Sequence, residues 1–280
     1  MDKWNLIIDV AKCMNCHNCV LAVKDEHCDN DFPGYAASQP RHGQHWIKIA
    51  RTVRGVAPMV DVAYLPTTCN HCDNAPCVEA GKGAVSKRGD GIVIIDPQKT
   101  KGRKDLLKSC PYGAIWWNEE LQIPQKWIFE AHLLDNGWKV PRCAQACPTG
   151  AMSASKVSDE AMTERARREK LEVLRPELGT KPRVWYRNLA RCTKAFIGGS
   201  VVGKLDGSRE CLAGARVSLL RAQKTVAETQ TDDFGDFRFD NLDPRSGSYA
   251  VEIAHAGFGK RQIPVELDDS ACLGVIDLES

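Results

Sequence analysis

Two cysteine triplets and two isolated Cys-Pro pairs constrain this chain more than any other feature of it. The first triplet is Cys13-x2-Cys16-x2-Cys19 and the second is Cys69-x2-Cys72-x4-Cys77. The single cysteines are Cys110-Pro111 and Cys147-Pro148, each in a similar phrase, Cys110-Pro-Tyr-Gly-Ala-Ile and Cys147-Pro-Thr-Gly-Ala-Met. A bacterial ferredoxin run reads C-x2-C-x2-C-x3-C-P, and its fourth cysteine serves the neighbouring cluster. Here the triplets and the singles are separated in sequence, yet three plus one still makes four thiolates, twice. The spacing predicts two [4Fe–4S] clusters. Three cysteines on one loop reach three corners of a cubane, and a remote one closes the fourth. The following proline fixes φ and ends the local turn.

Rival chemistries fit parts of this pattern. Cys13-Met-Asn-Cys16-His17 also reads as a C-x-x-C-H haem attachment, which leaves Cys19 surplus. Four thiolates suit tetrahedral zinc as well, although zinc sites usually arrive as paired C-x2-C knuckles. Buried, unligated thiols are a third reading, disfavoured by the repeated spacing. Eight of the thirteen cysteines are used by the clusters, leaving Cys28, Cys143, Cys192, Cys211 and Cys272. Cys211 and Cys272 are expected to be small core hydrophobes. Cys28 with Cys143, and with His132 or Glu130, leaves an irregular third site open. His71, between Cys69 and Cys72, either bonds a sulfur or faces solvent, and His17 is equally open. Trp116 and Trp117 read as cluster shields or as ordinary core aromatics.

A net charge of +2 implies no strong polyelectrolyte partner, so nucleic acid is not expected. The basic stretch from Lys99 to Lys108 reads as a solvated or cluster-side face. No run of 18 apolar residues occurs, so no membrane span is expected. The start, Met-Asp-Lys-Trp-Asn-Leu-Ile-Ile-Asp-Val, reads as a first strand rather than a signal peptide. Clustered cysteine without export points to metal rather than disulfides, and hence to the cytoplasm.

The fold class expected is α+β: a bacterial-ferredoxin-like double-cluster domain followed by an all-β sandwich. Residues 1–155 carry every proposed ligand. Strands are expected at Asn5–Val10, Trp46–Arg51 and Val60–Tyr64, with a hairpin over Val85–Ile95 turning at Asp90-Gly91. Short helices are expected after Cys19 and before Cys110. Residues 156–194 read as a helix capped by Ser158, running to about Leu174 and stopped by Pro176, and then an extended linker. From 195 to 280 the pattern changes to seven short period-2 strands, Val201–Lys204, Arg216–Leu220, Thr225–Thr229, Phe237–Phe239, Tyr249–Ile253, Ile263–Leu267 and Val275–Leu278. Thr231-Asp-Asp-Phe-Gly-Asp-Phe-Arg-Phe, with Gly247-Ser-Tyr-Ala-Val-Glu-Ile and Gly257-Phe258, resembles transthyretin-like or collagen-adhesin B-type sandwich domains.

The stretch Cys69-Asn-His-Cys-Asp-Asn-Ala-Pro-Cys77, then Gly83-Ala-Val, Asp90-Gly-Ile-Val-Ile-Ile-Asp and Cys110-Pro-Tyr-Gly-Ala, resembles multi-cluster subunits of molybdenum oxidoreductases. Asp9-Val-Ala-Lys-Cys13, Pro33-Gly-Tyr, Trp117-Asn-Glu-Glu, Ala131-His-Leu-Leu-Asp and above all Pro176-Glu-Leu-Gly-Thr-Lys-Pro-Arg-Val-Trp-Tyr narrow it. The chain resembles the small, iron–sulfur subunits of the phenol transhydroxylase and hydroxylase family, which includes pyrogallol–phloroglucinol transhydroxylase and resorcinol hydroxylase. The resemblance implies nested pairing: cluster one on Cys13, Cys16, Cys19 and Cys147, cluster two on Cys69, Cys72, Cys77 and Cys110. It implies a large catalytic partner subunit carrying a molybdenum bis-pterin guanine dinucleotide, where the phenol binds. A soluble electron donor or acceptor is a further implied partner. No catalytic residue is expected in this chain.

The departures matter as much. Val23 stands where that family keeps a cysteine, and Trp127 and Glu130 stand where it keeps a C-x2-C pair. This chain is therefore expected to hold one cluster fewer than its family, with Cys143 stranded and Trp127 and its apolar neighbours filling the space. The competing readings are a free-standing ferredoxin-like carrier and a zinc-binding scaffold.

Overall fold

The computed structural model describes residues 1–279, which form two compact units. The first comprises residues 1–51 and 64–189, and the second residues 52–63 together with the chain from Ala190 onward.

The first unit is built on β1 (Lys3–Asp9), in which Leu6, Ile7 and Ile8 are all buried. A strand covered on both faces reads as a continuous apolar run rather than an alternation. The first cysteine triplet leads into α1 (Asn18–His27). A hairpin of β2 (Lys48–Val56) and β3 (Met59–Thr67) then leads to the second triplet. The chain continues through α2 (Pro76–Gly81) into the short antiparallel pair β4 (Val85–Lys87) and β5 (Val93–Ile95), with Val85 opposite Ile95. This is the hairpin the sequence predicts; the Asp90 carboxylate accepts from Ile92 N–H across its turn. A 3-10 turn over Lys104–Ser109 delivers Cys110. A second small hairpin follows, β6 (Trp116–Asn118) and β7 (Ile123–Gln125), then α3 (Ala131–Asp135) and α4 (Arg142–Gln145). β8 (Met152–Val157) runs antiparallel beside β1, with Ile8 opposite Met152.

Beyond β8 the structure departs from the sequence reading. Ser158 does cap α5 (Asp159–Glu169), its Oγ accepting from Ala161 N–H at 3.2 Å. The helix ends at Glu169, however, not near Leu174. Lys170 is left-handed at φ 52°, and Leu171 N–H returns to the Ala166 carbonyl at 2.8 Å, which turns buried Leu171 inward beside Met162. Pro176 stops nothing; it opens a 3-10 turn over Pro176–Leu178. The expected extended linker contains β9 (Val184–Arg187), which pairs in parallel with β1, Leu6 opposite Val184. Backbone pairing, not local propensity, decides that segment.

The second unit is a pair of facing four-stranded sheets. One contains β10 (Ala195–Leu205), β11 (Ser208–Cys211), β14 (Asp236–Leu242) and β17 (Ala271–Leu278). The other has the order β13-β12-β15-β16, with β12 (Arg216–Arg221), β13 (Lys224–Gln230), β15 (Gly247–Ala254) and β16 (Arg261–Leu267). Inward residues such as Ile197, Val217, Leu219, Phe237, Val251 and Ile276 form its core, as in a sandwich. The edge strand β11, exposed along its length, is an addition to the predicted seven. Cys211 on β11 is accordingly exposed rather than a core hydrophobe, and Cys272 is half-buried. Residues 52–63 belong to this unit, where Arg54 donates to the Lys194 carbonyl at 2.9 Å and to Asp240 at 3.1 Å and ion-pairs with Asp61.

Candidate metal centres

The second triplet and Cys110 surround one cavity. Its lining includes Cys69, Cys72, Cys77, Cys110, His71 and Lys126. Pro76 at the start of α2 places Cys77 in the first turn of that helix. Val85, Val93, Ile95, Leu106 and Ile115 back the thiols with a small apolar core. Burial and then the neighbouring Cys69 push the Cys72 thiol up to about 12 and Cys77 up to about 11. Cys110 is raised for the same two reasons. Four such thiols repel one another as thiolates, so full ionisation needs positive charge among them, which a metal cluster supplies. The donor set fits an iron–sulfur cluster.

The first triplet and Cys147 form the other set. Asn15 and His17, both left-handed at φ 60°, curl the loop that carries Cys13 and Cys16 into α1, whose first turn holds Cys19. Helix α1 packs against α4, and Cys147 follows α4 directly. Burial pushes Cys19 up to about 12, with Cys13, Cys147 and Cys16 acting as nearby like charges. Cys13 is raised by burial, opposed by Asn15 N–H, with Cys147 and Cys16 adding to the rise. Cys147 moves the other way: burial raises it, but hydrogen bonds from Met152 N–H, the Thr149 hydroxyl and further N–H groups outweigh that. This set lies nearer solvent. Cys16 is exposed, and so are its neighbours Met14 and Leu21.

The two Cys-Pro phrases make the same turn. Gly113 N–H donates to the Cys110 carbonyl at 3.1 Å, and Gly150 N–H to the Cys147 carbonyl at 3.3 Å. Both glycines are left-handed, at φ 62° and 63°. That conformation is costly for a residue with a Cβ. In the first turn Ala114 N–H also points at Cys110 Sγ, 3.4 Å away.

The region expected to hold a vanished cluster is filled and polar. Trp127, Glu130 and Cys143 are all fully buried. Trp127 stacks on Phe129 and donates from Nε1 to Glu130 Oε1 at 2.6 Å, while Arg142 N–H donates to Oε2 at 3.1 Å. His27 Nε2 lies 3.7 Å from the same carboxylate. The sequence reading missed His27, because only the register of α1 turns it inward. Cys143 is raised by burial, then by Glu130 and Cys19. Glu130 also acts on His132, which bonds Glu26 at 2.9 Å. Cys143, Glu130 and His132 thus share one neighbourhood, while the Cys28 backbone pairs with Gln39. Trp116 and Trp117 are half-buried. Trp116 carries Lys48 over its ring at 4.2 Å, and Trp117 bonds Glu119 at 2.9 Å. His71 is fully buried and does not face solvent.

Among the described residues, no helix is long and apolar enough to cross a membrane. Residues 60–157 match the family model for 4Fe-4S dicluster domains, and residues 197–276 that for carboxypeptidase regulatory-like domains. The first match takes in the second triplet and both Cys-Pro singles but begins beyond the first triplet. The chain is 47% identical to the pyrogallol hydroxytransferase small subunit of Pelobacter acidigallici, over 99% of its own length and 100% of that protein's. It is 32% identical to a tetrathionate reductase subunit of Salmonella typhimurium, over 67% of this chain and 73% of that one. It is 28% identical to the arsenate respiratory reductase iron–sulfur subunit of a Shewanella strain, over 66% of this chain and 95% of that one. With a dicluster domain over residues 60–157 and a full-length relative at this identity, the chain belongs to the family of the pyrogallol hydroxytransferase small subunit, among the iron–sulfur electron-transfer subunits of molybdopterin oxidoreductases.

Proposed function

We propose that Cys13, Cys16, Cys19 and Cys147 hold one [4Fe–4S] cluster, and that Cys69, Cys72, Cys77 and Cys110 hold the other. We further propose that the chain passes electrons to or from a molybdenum bis-pterin guanine dinucleotide in a large partner subunit, with a soluble donor or acceptor beyond it, in a reaction on phenolic aromatics. When bound, each cluster accepts or gives up one electron. The residues of this chain hold it, set its charge environment and limit water around it.

The observation that carries the reading is the duplicated arrangement: two four-thiol groups, each closed by a Cys-Pro-x-Gly turn of the same geometry. The substrate class rests on the full-length similarity to a pyrogallol hydroxytransferase small subunit. A cytoplasmic, reducing compartment is part of this reading, supported by the thiols of Cys28, Cys192, Cys211 and Cys272 outside the proposed ligand sets.

Anaerobic purification with the neighbouring large subunit tests this. About eight iron and about eight sulfide per chain are expected, as two four-iron cubanes require, together with molybdenum in the copurified complex. Zinc in place of iron sinks the cluster reading, and a stable chain isolated without a molybdenum subunit sinks the subunit reading.

A further inference from the structure

One charged side chain beside cluster two has no explanation within the protein itself. Lys126 is only 2% exposed. Its ammonium donates to two backbone carbonyls, Val93 at 2.5 Å and Trp127 at 3.1 Å, and these are its hydrogen-bond acceptors among the described residues. No carboxylate is among them. The two other cations near this site are different. Lys87 bonds the His71 and Cys72 carbonyls, each at 2.9 Å, and pairs with Asp73 at 2.8 Å. Arg183 pairs with the same Asp73 at 2.6 Å. Asp73 therefore answers their charge locally, and Lys126 is left over.

A buried cation without a counter-charge is strongly disfavoured. Lys126 lines the same cavity as the four thiols. Its charge acts on Cys77 and Cys110, favouring their ionised forms. By contrast, Cys13 and Cys19 of the other set are shifted mainly by burial, backbone contacts and one another.

We propose that Lys126 is the built-in counter-charge of cluster two, a potential-setting residue that favours that centre's reduced state and raises its reduction potential. The inference rests on the ligand assignment proposed above. Reduction adds one electron, and so one negative charge, to a centre already surrounded by four thiolates. In a poorly screened interior a fixed positive charge nearby stabilises that added charge. Net charge, hydrogen bonds to the sulfurs and solvent exposure are the levers by which a protein sets such potentials, and a buried ammonium acts through the first. His71 is placed to contribute as well. Its Nδ1 accepts from Val93 N–H at 3.0 Å, which leaves the proton on Nε2, and Nε2 has no partner among the described residues.

The test is a potentiometric titration of the full chain in its complex, with dithionite as reductant and the reduced clusters read by electron paramagnetic resonance. The cluster-two wave is identified as the one altered in Cys77→Ser. In Lys126→Met that wave is expected to move to lower potential. At the wild-type midpoint the oxidised form should exceed the reduced by at least tenfold, which is about 59 mV for one electron. The cluster-one wave should stay, and Lys126→Arg should restore most of the shift. If Lys126→Met does not assemble, Lys126→Gln retains a donor for the Val93 and Trp127 carbonyls without the charge, and the same shift is expected. A loaded Met or Gln variant with an unmoved cluster-two wave, or with both waves moved equally, overturns the proposal. A wild-type protein lacking a second cluster overturns the ligand assignment instead, so the two failures are distinguishable.

Discussion

Trp127 donates its indole N–H to Glu130 Oε1 at 2.6 Å, and both side chains are completely buried. A carboxylate in that setting is tolerable only while its oxygens are served; the indole serves one and Arg142 N–H the other. Trp127→Phe keeps the ring stacked near Phe129 but removes the donor. The variant is expected to lose about 1–3 kcal/mol of stability, the cost of leaving a buried acceptor short of a partner. Thermal melts of the full chain check this, and iron content should be unchanged. A neutral substitution contradicts the role given to this pair.

The proposed ligand sets make a sharp prediction for single cysteines. Cys147→Ser should remove or convert cluster one alone, and Cys110→Ser cluster two alone, because Cys147 acts on Cys13 and Cys19, and Cys69 on Cys110. Each variant is expected to retain about half the iron of the wild type, with one of the two reduced signals intact. Loss of both signals from either substitution rules out the pairing.

Gly113 and Gly150 close the two Cys-Pro turns in the left-handed region. A Cβ at Gly113 meets nothing within 4 Å, so the penalty for Gly113→Ala is backbone strain alone. It should be about 1–2 kcal/mol, and smaller for Gly113→Asn, which tolerates that conformation better. The readout is iron release to a chelator. Cluster two should be lost faster in the alanine variant than in the asparagine variant, with cluster one unaffected.

Asp61 predicts how the second unit responds to acid. Burial alone would raise its pKa, but hydrogen bonds from Arg191 and Arg54 outweigh that and hold the carboxyl well below the usual range. In the unfolded chain it titrates near about 3.9. A folded-state pKa below the unfolded one gives stability that is complete above the unfolded pKa and is lost as pH falls toward the folded value. Asp61→Asn also leaves Arg54, almost wholly buried, with Asp240 alone of its two carboxylates. It should cost about 3 kcal/mol at neutral pH, the low end for breaking a buried pair. The gap from wild type should narrow as pH drops below about 4. Melting curves at stepped pH decide it, and a gap that widens in acid contradicts the assignment.

What the sequence made legible was what its local grammar encodes. The cysteine spacing marked the two triplets and the two Cys-Pro phrases, Asp90-Gly91 marked the β4–β5 hairpin, and period-2 apolar runs marked the sandwich strands. Long-range pairing was not encoded that way. Val184–Arg187 follows two prolines and reads as linker, yet it docks in parallel on β1 because that strand offers an unpaired edge. Residues 52–63 carry no local mark of belonging to the second unit. Lys126 and His27 look like ordinary polar residues until their burial is known. In each case a tertiary neighbour, absent from any short window of sequence, decides the outcome.

The ladder between β1 and β8 has a consequence for biosynthesis. Strand β1 ends just before the first triplet, and β8 begins just after Cys147. The two edges of the Cys13, Cys16, Cys19 and Cys147 set are therefore joined by an early and a late segment of the first unit. The Cys69, Cys72, Cys77 and Cys110 set closes within the stretch from Cys69 to Cys110 and is finished sooner. A nascent chain thus exposes Cys13, Cys16 and Cys19 for most of the first unit's synthesis before their fourth partner exists. Closure of the set that ends at Cys147 therefore waits on β8, while the whole of the second unit's sandwich is still to be made.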